Sequence, residues 1–433
     1  MTTLDTARII VIGGGAAGLT AAIMGARAGA PLLLLEKNDR LGKKLLITGK
    51  GRCNVTNDTD TEGIIANLPG NGRFLHSALR AFDARQTMRF FEEELGLPLK
   101  VERGNRVFPQ SDRASDVVEA MVRELKRLKV EVQTGRTVTA IERDGSGAVR
   151  GVRTADGQFY PGAAVVVATG GNTYPGTGSS GDGFRFAGEL GHAVTTLRPS
   201  LVPLITAEPW VKELQGLTLK NVRVSLQDKA GKKLGEEFGE MIFTHFGVSG
   251  PVILSLSKHA TNYWEKKGAP EKNPLLVKIN LKPALTPEQL DARIQRDFAQ
   301  FQRKQFKNAL GDLLPKSLIP IVIALSGISE DKFVHQITKA ERRNLLETLT
   351  ALTVTATGHR PMSEAIVTAG GVDIREIDPK TMASKQILGL FFAGEVVDVD
   401  GYTGGFNLQA AWSMGYMAGR AAAKLVKAPQ GGL

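Results

Sequence analysis

The apolar positions of this chain fall first into alternating strand-like and helix-like blocks. Arg8 to Ile12 is a short apolar run ending in glycines, and the alanine-rich AAGLTAAIMGARAGA follows it. Such a run reads as a buried strand, and the alanine stretch as a closely packed helix. A second run, Leu32 to Leu35, ends at Glu36 and completes a β-α-β unit of the kind that begins a doubly wound sheet. Ser115 to Leu128 has helical spacing, with Val117, Val118, Met121, Val122 and Leu125 on one side. Val130, Val132, Val138 and Ile141 then suggest strands, GVRTADGQFY a hairpin turning at Asp156-Gly157, and Ala163 to Gly171 a buried strand that breaks at glycines.

From about Arg198 the texture changes. KNVRVSLQD and LLVKINL alternate apolar and polar residues, as antiparallel strands with one wet face do, whereas PEQLDARIQRDFAQFQRKQF and AERRNLLETLTAL have a helical period. The pattern predicts an inserted antiparallel β domain at 198–284 and a small helical subdomain at 285–356. Afterwards LGLFFAGEVVDVDG and GGFNLQAAWSMGYMAGRAAAKL return to strand, turn and helix. Residues 1–197 and 357–433 are therefore expected to form one discontinuous α/β domain of Rossmann type.

Composition narrows the classes. At 433 residues, 42% hydrophobic and 23% charged, the chain is long enough for two or three cores and has no disordered bias. No apolar run approaches the roughly 20 residues of a membrane span, and MTTLDTAR lacks the features of a signal peptide, so a cytoplasmic protein without membrane contact is expected. Cys53 is the only cysteine, and the six histidines show no HExxH spacing; no internal disulfide and no metal site are expected. The net charge of +11 raises the prospect of a polyanionic partner, against the plainer reading of a basic solvated surface.

Gly13, Gly15 and Gly18 have GxGxxG spacing directly after a strand and at the opening of a helix. The first permits a tight turn, the second lets backbone approach a pyrophosphate, and the third lets helix and strand pack closely. Glu36, at the end of the second strand, suits a ribose hydroxyl. Later segments favour FAD over NAD: Glu395 follows a strand and could accept from a ribityl hydroxyl, and a second glycine-rich helix start follows at Gly404 and Gly405. Its N–H groups around Phe406, Asn407 and Leu408 could stabilise negative charge on a reduced flavin. A further match, Gly176, Gly178 and Gly181, does not follow a strand and reads as a loop. No segment offers a dedicated nicotinamide domain, so NAD(P)H would be a transient reductant.

KKLLITGKGRCNVTN brings Arg52, Cys53 and Asn54 together among glycines. Cys53 could donate a proton to substrate, or be a small buried hydrophobe. In EFGEMIFTHFGVSGP, His245 could face flavin or substrate, or be a structural histidine.

GGGAAG, KKLLITGKGRCNVTN, ATGGNTYPGTGSSGDG, GEMIFTHFGVSGP and TAGGVDIREIDPKTMASK with GLFFAGEVVDVDGYTGGFNLQ together resemble the BaiN/RdsA family of FAD-dependent oxidoreductases, also called the YhiN flavoprotein family. The resemblance spans essentially the whole chain. It implies a flavin domain with a β-barrel-like insert and a helical subdomain. It also implies non-covalent FAD contacts at Gly13, Gly15, Ala16, Ala17, Gly18, Glu36, Lys37, Lys43, Arg52, Cys53, Asn54, Val138, Gly170, Asp182, Glu395, Asn407 and Leu408. Members have been linked to reduction of a ribosomal RNA uridine to dihydrouridine, reductive steps on bile-acid-like enones, and aminoacetone oxidation.

Charge helps to choose among these. Residues 198–356 carry 23 Lys and Arg against 16 Asp and Glu, so seven of the eleven excess positive charges lie in the insert. One helical stretch is expected to present Arg293, Arg296, Arg303, Lys304 and Lys307, interleaved with Phe298, Phe301 and Phe306, which at this spacing read as core. A small enone or amine needs no such cations, whereas RNA is positioned by phosphate contacts. Ribosomal RNA is the first substrate expectation, a small-molecule reductase or oxidase the second, and a flavin-binding protein without turnover the third.

Overall fold

A computed structural model describes residues 8–428. The chain divides into two compact units, one running up to Pro199 and resuming at Ile366, the other Ser200–Ala365.

The first unit is built on a five-stranded parallel sheet of β1 (Ile9–Ile12), β2 (Leu32–Leu35), β3 (Glu131–Gln133), β4 (Ala164–Val167) and β5 (Leu390–Phe392). Its strand order is 3-2-1-4-5. β1, β2, β4 and β5 are buried along their whole length, which is why they read as continuous apolar runs without alternation. Helices α1 (Ala16–Arg27) and α2 (Phe406–Lys427) pack tightly on each other. A Cβ at Gly415 or Gly419 of α2 would collide with the backbone of α1, so glycines set how closely these helices approach. The order turns back between β1 and β4, and the exits of those two strands define the crevice where such sheets bind ligands.

The second unit contains a closed six-stranded antiparallel barrel. Its strands, in order around the barrel, are Leu204–Thr206, Gly247–Ser249, Lys233–Thr244, Thr218–Gln227, Leu275–Asn280 and Leu352–His359. Alternation is plain in Leu275–Asn280, where Leu275, Val277 and Ile279 are buried and the residues between them are not. Two features differ from the sequence-based expectation. A 17-residue helix, Pro251–Lys267, lies within the stretch expected to be β. The chain also returns from its helices to close the barrel with Leu352–His359, so the expected boundary at 356/357 falls inside a strand.

The helix begun by the capping box of Thr286 and Gln289 ends at Gln300, earlier than its sequence period suggests. Residues 301–308 turn instead to pair with 330–334, a change that buries Phe306. Arg293 and Arg296 are therefore helical, while Arg303, Lys304 and Lys307 lie on the turns beyond, which corrects the single helical stretch expected.

Candidate functional site

At the exit of β1, Gly13 has φ +101°, and a Cβ there would lie 2.6 Å from the Ala168 carbonyl oxygen just past β4. A Cβ at Gly18 would overlap the Gly13 carbonyl oxygen. Gly15 is different: a Cβ there meets no protein atom within 4 Å. It caps α1 without a side-chain hydrogen bond and with no acidic residue in the first turn, so the N–H groups of the Ala16, Ala17 and Gly18 turn present positive charge to an open space.

Glu36 is buried beside this turn. Its Oε2 accepts from Gly14 N at 2.7 Å, and its Oε1 from Asn38 N at 2.8 Å and Asn38 Nδ2 at 2.7 Å. A carboxylate has about four acceptor positions, so one direction is left for a ligand. Asn38 escaped the sequence reading because nothing in its spacing marks it. Arg136 N donates to the Glu36 carbonyl, which carries the chain past this corner to buried Val138. Lys37 Nζ meets Asp182 Oδ2 at 2.7 Å and also bonds Ser180, so these two expected contacts are engaged with each other. Burial pushes the Asp182 carboxyl up, but Lys37 outweighs that and leaves it below the ordinary range. Gly170, with φ +75°, sits just beyond the exit of β4.

The segment 45–57 is irregular. Gly49, Lys50, Gly51 and Cys53 are all left-handed, and each non-glycine among them costs about 1–2 kcal/mol. Side chains hold it in place. Arg52 Nε donates to Asp112 Oδ1 at 2.7 Å, its guanidinium also bonds Glu102, and it lies 4.1 Å above the Phe108 ring. These bonds raise the Arg52 pKa further, the Glu102 bond first and Asp112 next. The guanidinium is thus engaged by the hairpin 99–109 and its flank.

The other side of the segment is tied to the start of α2. Trp412 Nε1 donates to the Val55 carbonyl at 2.8 Å, Thr56 Oγ1 to Gln409 Oε1 at 2.6 Å, and Asn57 Nδ2 to the Gly404 carbonyl at 3.0 Å. A Cβ at Gly405 would strike the Thr56 backbone. The Asn407 side chain closes on Gly401 and the Tyr402 carbonyl, so Asn407 and Leu408 offer a ligand their backbone N–H groups at an uncapped helix start.

Two polar atoms near these elements are buried without a hydrogen-bond partner among the described residues, Asn54 Oδ1 and Thr169 Oγ1. Glu395 accepts from Lys44 Nζ at 2.7 Å, Thr368 N at 2.8 Å and Thr173 Oγ1 at 3.3 Å. Lys43, expected at the cofactor, lies 3.8 Å from exposed Asp39, while its neighbour Lys44 is the lysine that meets Glu395. Cys53 is fully buried, and burial pushes its thiol up to about 12 despite the Thr48 hydrogen bond. Such a thiol fits the packing role better than proton donation near neutral pH. Among the described residues, no helix is long and apolar enough to cross a membrane.

In the second unit, His245 is exposed in the turn joining Lys233–Thr244 to Gly247–Ser249. The five expected cations divide. Arg293 is paired with Asp297 at 2.8 Å and Lys307 with Asp331 at 2.6 Å. Arg296, Arg303 and Lys304 are exposed and have no carboxylate partner among the described residues, Lys304 lying 4.2 Å over the Phe301 ring. Phe298 and Phe306 are buried edge to face, as core residues.

Residues 7–421 match the model of a family described as HI0933-like protein Rossmann domain. A 3-dehydro-bile acid delta(4,6)-reductase of Clostridium scindens is 35% identical over 96% of this chain and 99% of its own length. A ribosomal RNA dihydrouridine synthase of Haemophilus influenzae is 32% identical over 94% of this chain and 96% of its own. Among solved structures, a 3-ketosteroid delta1-dehydrogenase of Sterolibacterium denitrificans shares the fold with a TM-score of 0.54 at 13% identity, covering 96% of this chain and 99% of that one.

Proposed function

The chain belongs to the HI0933-like family of Rossmann-fold, FAD-dependent oxidoreductases, and we propose that it uses NAD(P)H to reduce a uridine in ribosomal RNA to dihydrouridine. The residues present fit FAD. The uncapped start of α1 suits the pyrophosphate and the remaining acceptor of Glu36 a ribose hydroxyl. The start of α2 suits the ring, and Asn54 Oδ1 and Thr169 Oγ1 are buried acceptors that need a partner. When bound, the flavin supplies hydride transfer.

Gly13, Gly15, Ala16, Ala17 and Gly18 bind and orient the phosphates through backbone. Arg52 keeps the 49–54 segment in its strained shape, and Lys44 holds Glu395 at the end of β5. Uridine is a suitable acceptor because its C5=C6 bond is conjugated to the C4 carbonyl; saturation adds one hydride and one proton, with both electrons drawn from the nicotinamide.

The observation that carries the RNA reading is the set of exposed cations Arg296, Arg303 and Lys304, which have no carboxylate partner among the described residues and which a small substrate does not require. An RNA substrate of this kind implies a cytoplasmic enzyme. The 35% identity to the bile-acid reductase favours a second reading, reduction of a small enone, which shares an alkene conjugated to a carbonyl.

The test is a deletion strain with its ribosomal RNA mapped for dihydrouridine. Loss at one position, restored by the gene in trans, supports the first reading. An unchanged map overturns it and leaves the enone reaction, assayed as anaerobic reoxidation of the reduced protein by a conjugated steroid ketone.

A further inference from the structure

Phe333 stands on the edge of the same basic region and is 43% exposed. It is placed there by a short two-stranded tie: Gln305 bridges Phe333, Val334 N donates to the Lys304 carbonyl at 3.0 Å, and Phe306 N donates to the Lys332 carbonyl at 2.8 Å. Val334 and Phe306 are buried, so the tie is anchored from below. His335 lies beside Phe333 with ring centroids 5.9 Å apart and planes at 30°, and its Nδ1 is 2.8 Å from the Gln302 carbonyl. A single exposed phenylalanine is ordinary on a protein surface. Here the backbone that carries the ring is held by the tie, a second ring lies beside it, and Arg303 and Lys304, which lack carboxylate partners among the described residues, adjoin it. Of the acidic residues on the tie, Asp331 is already met by Lys307 at 2.6 Å, and Glu330 adds its charge to the same lysine.

We propose that Phe333 and His335 form a stacking step for bases of single-stranded RNA, with Arg303 and Lys304 receiving the adjoining phosphates. An aromatic face accepts any base, and cations alongside follow the backbone; a duplex, whose bases are already stacked, gains nothing from the rings. This inference rests on the RNA reading above and adds to it the strandedness of the target and the place where it docks.

The experiment uses the full-length FAD-loaded protein and a labelled oligouridylate of about 12 nucleotides, within the span of single-strand sites. Phe333→Ala should weaken binding between about 5- and 150-fold while leaving the slope of affinity against salt unchanged, since no phosphate contact is removed. Phe333→Trp should restore affinity, and its added fluorescence should be quenched by the oligonucleotide but not by a duplex of equal length. Phe238→Ala, which removes an exposed ring from a barrel strand, should bind as the parent does. If the parent binds RNA and Phe333→Ala binds equally well, or the Trp signal is not quenched, the stacking site is wrong while the RNA reading stands. If the parent itself binds neither strand nor duplex at low salt, the RNA reading fails and the stacking site with it.

Discussion

Around the strand ends of the first unit the prominent ions are paired: Lys37 with Asp182, Lys44 with Glu395, Arg52 with Asp112. On the turns after the Pro287–Gln300 helix of the second unit, Arg303 and Lys304 face water without a carboxylate partner among the described residues. The two regions suit two kinds of ligand. A resident cofactor is best met by groups that are already fixed, and on the proposed reading the first unit would meet it with backbone N–H groups, glycines and helix starts, while its ions brace the frame. A large polyanion that arrives and leaves is met by mobile charged side chains, whose counterions it displaces.

The sharpest break of this comparison lies within the glycine turn. Gly18→Val forces a side chain into the Gly13 carbonyl and should cost about 3 kcal/mol or more, giving little soluble protein. At Gly15 a Cβ meets no protein atom within 4 Å, so Gly15→Val should fold with near-parent melting temperature yet be colourless, because the side chain enters the space left for phosphate. Denatured parent should release FAD rather than FMN. Stoichiometric FAD in folded Gly15→Val protein would remove the pyrophosphate from this turn.

A smaller effect separates free from paired cations. Each phosphate contact on a single strand contributes about 0.7 to the slope of log affinity against log salt. Arg303→Gln with Lys304→Gln should therefore flatten that slope by about 1.4, with FAD content unchanged. Arg293→Gln with Lys307→Gln removes the same formal charge but takes it from existing pairs with Asp297 and Asp331, so the slope should move much less. Equal flattening by both double variants would mean that net charge alone matters and that no phosphate-contact surface exists here.

The parts of this molecule readable in its sequence are those where backbone constraint is strong. Continuous apolar runs marked β1, β2 and β4, and the glycine spacing marked the turn between β1 and α1, because a Cβ is physically barred at Gly13 and Gly18. Alternation marked the barrel strands. The helix Pro251–Lys267 was missed because it carries apolar residues on several sides and directly follows a strand-like stretch. The side-chain partners were hidden for another reason. That Arg52 turns to Asp112 and Lys44 to Glu395 depends on an irregular left-handed segment whose direction no periodicity encodes. Phe333 was equally silent, since exposure of one ring is decided by how two distant turns pair.

The smallest expected effect on turnover is at Cys53, and it tests whether the strained segment beside the cofactor site acts as frame or as reagent. A thiol with no exposure, held up to about 12, stays protonated through the neutral range and is badly matched to proton donation. Cys53→Ala should keep FAD, reduction by nicotinamide and substrate turnover to within a few-fold, while lowering stability by about 1 kcal/mol through the lost packing. Loss of turnover by about 10²-fold with flavin reduction intact would instead assign the proton donor. A second signature comes from pH. Because the folded thiol keeps its proton to about 12 while the unfolded one loses it near 9.0, the unfolded state binds fewer protons between those values. Stability should then be fully present below about 9 and fall as pH rises toward 12, by at most about 1.4 kcal/mol per unit from this group. The alanine variant should show a shallower alkaline decline in denaturant unfolding. An identical decline in both proteins would mean that the thiol is not held in the buried, protonated state that the packing role requires.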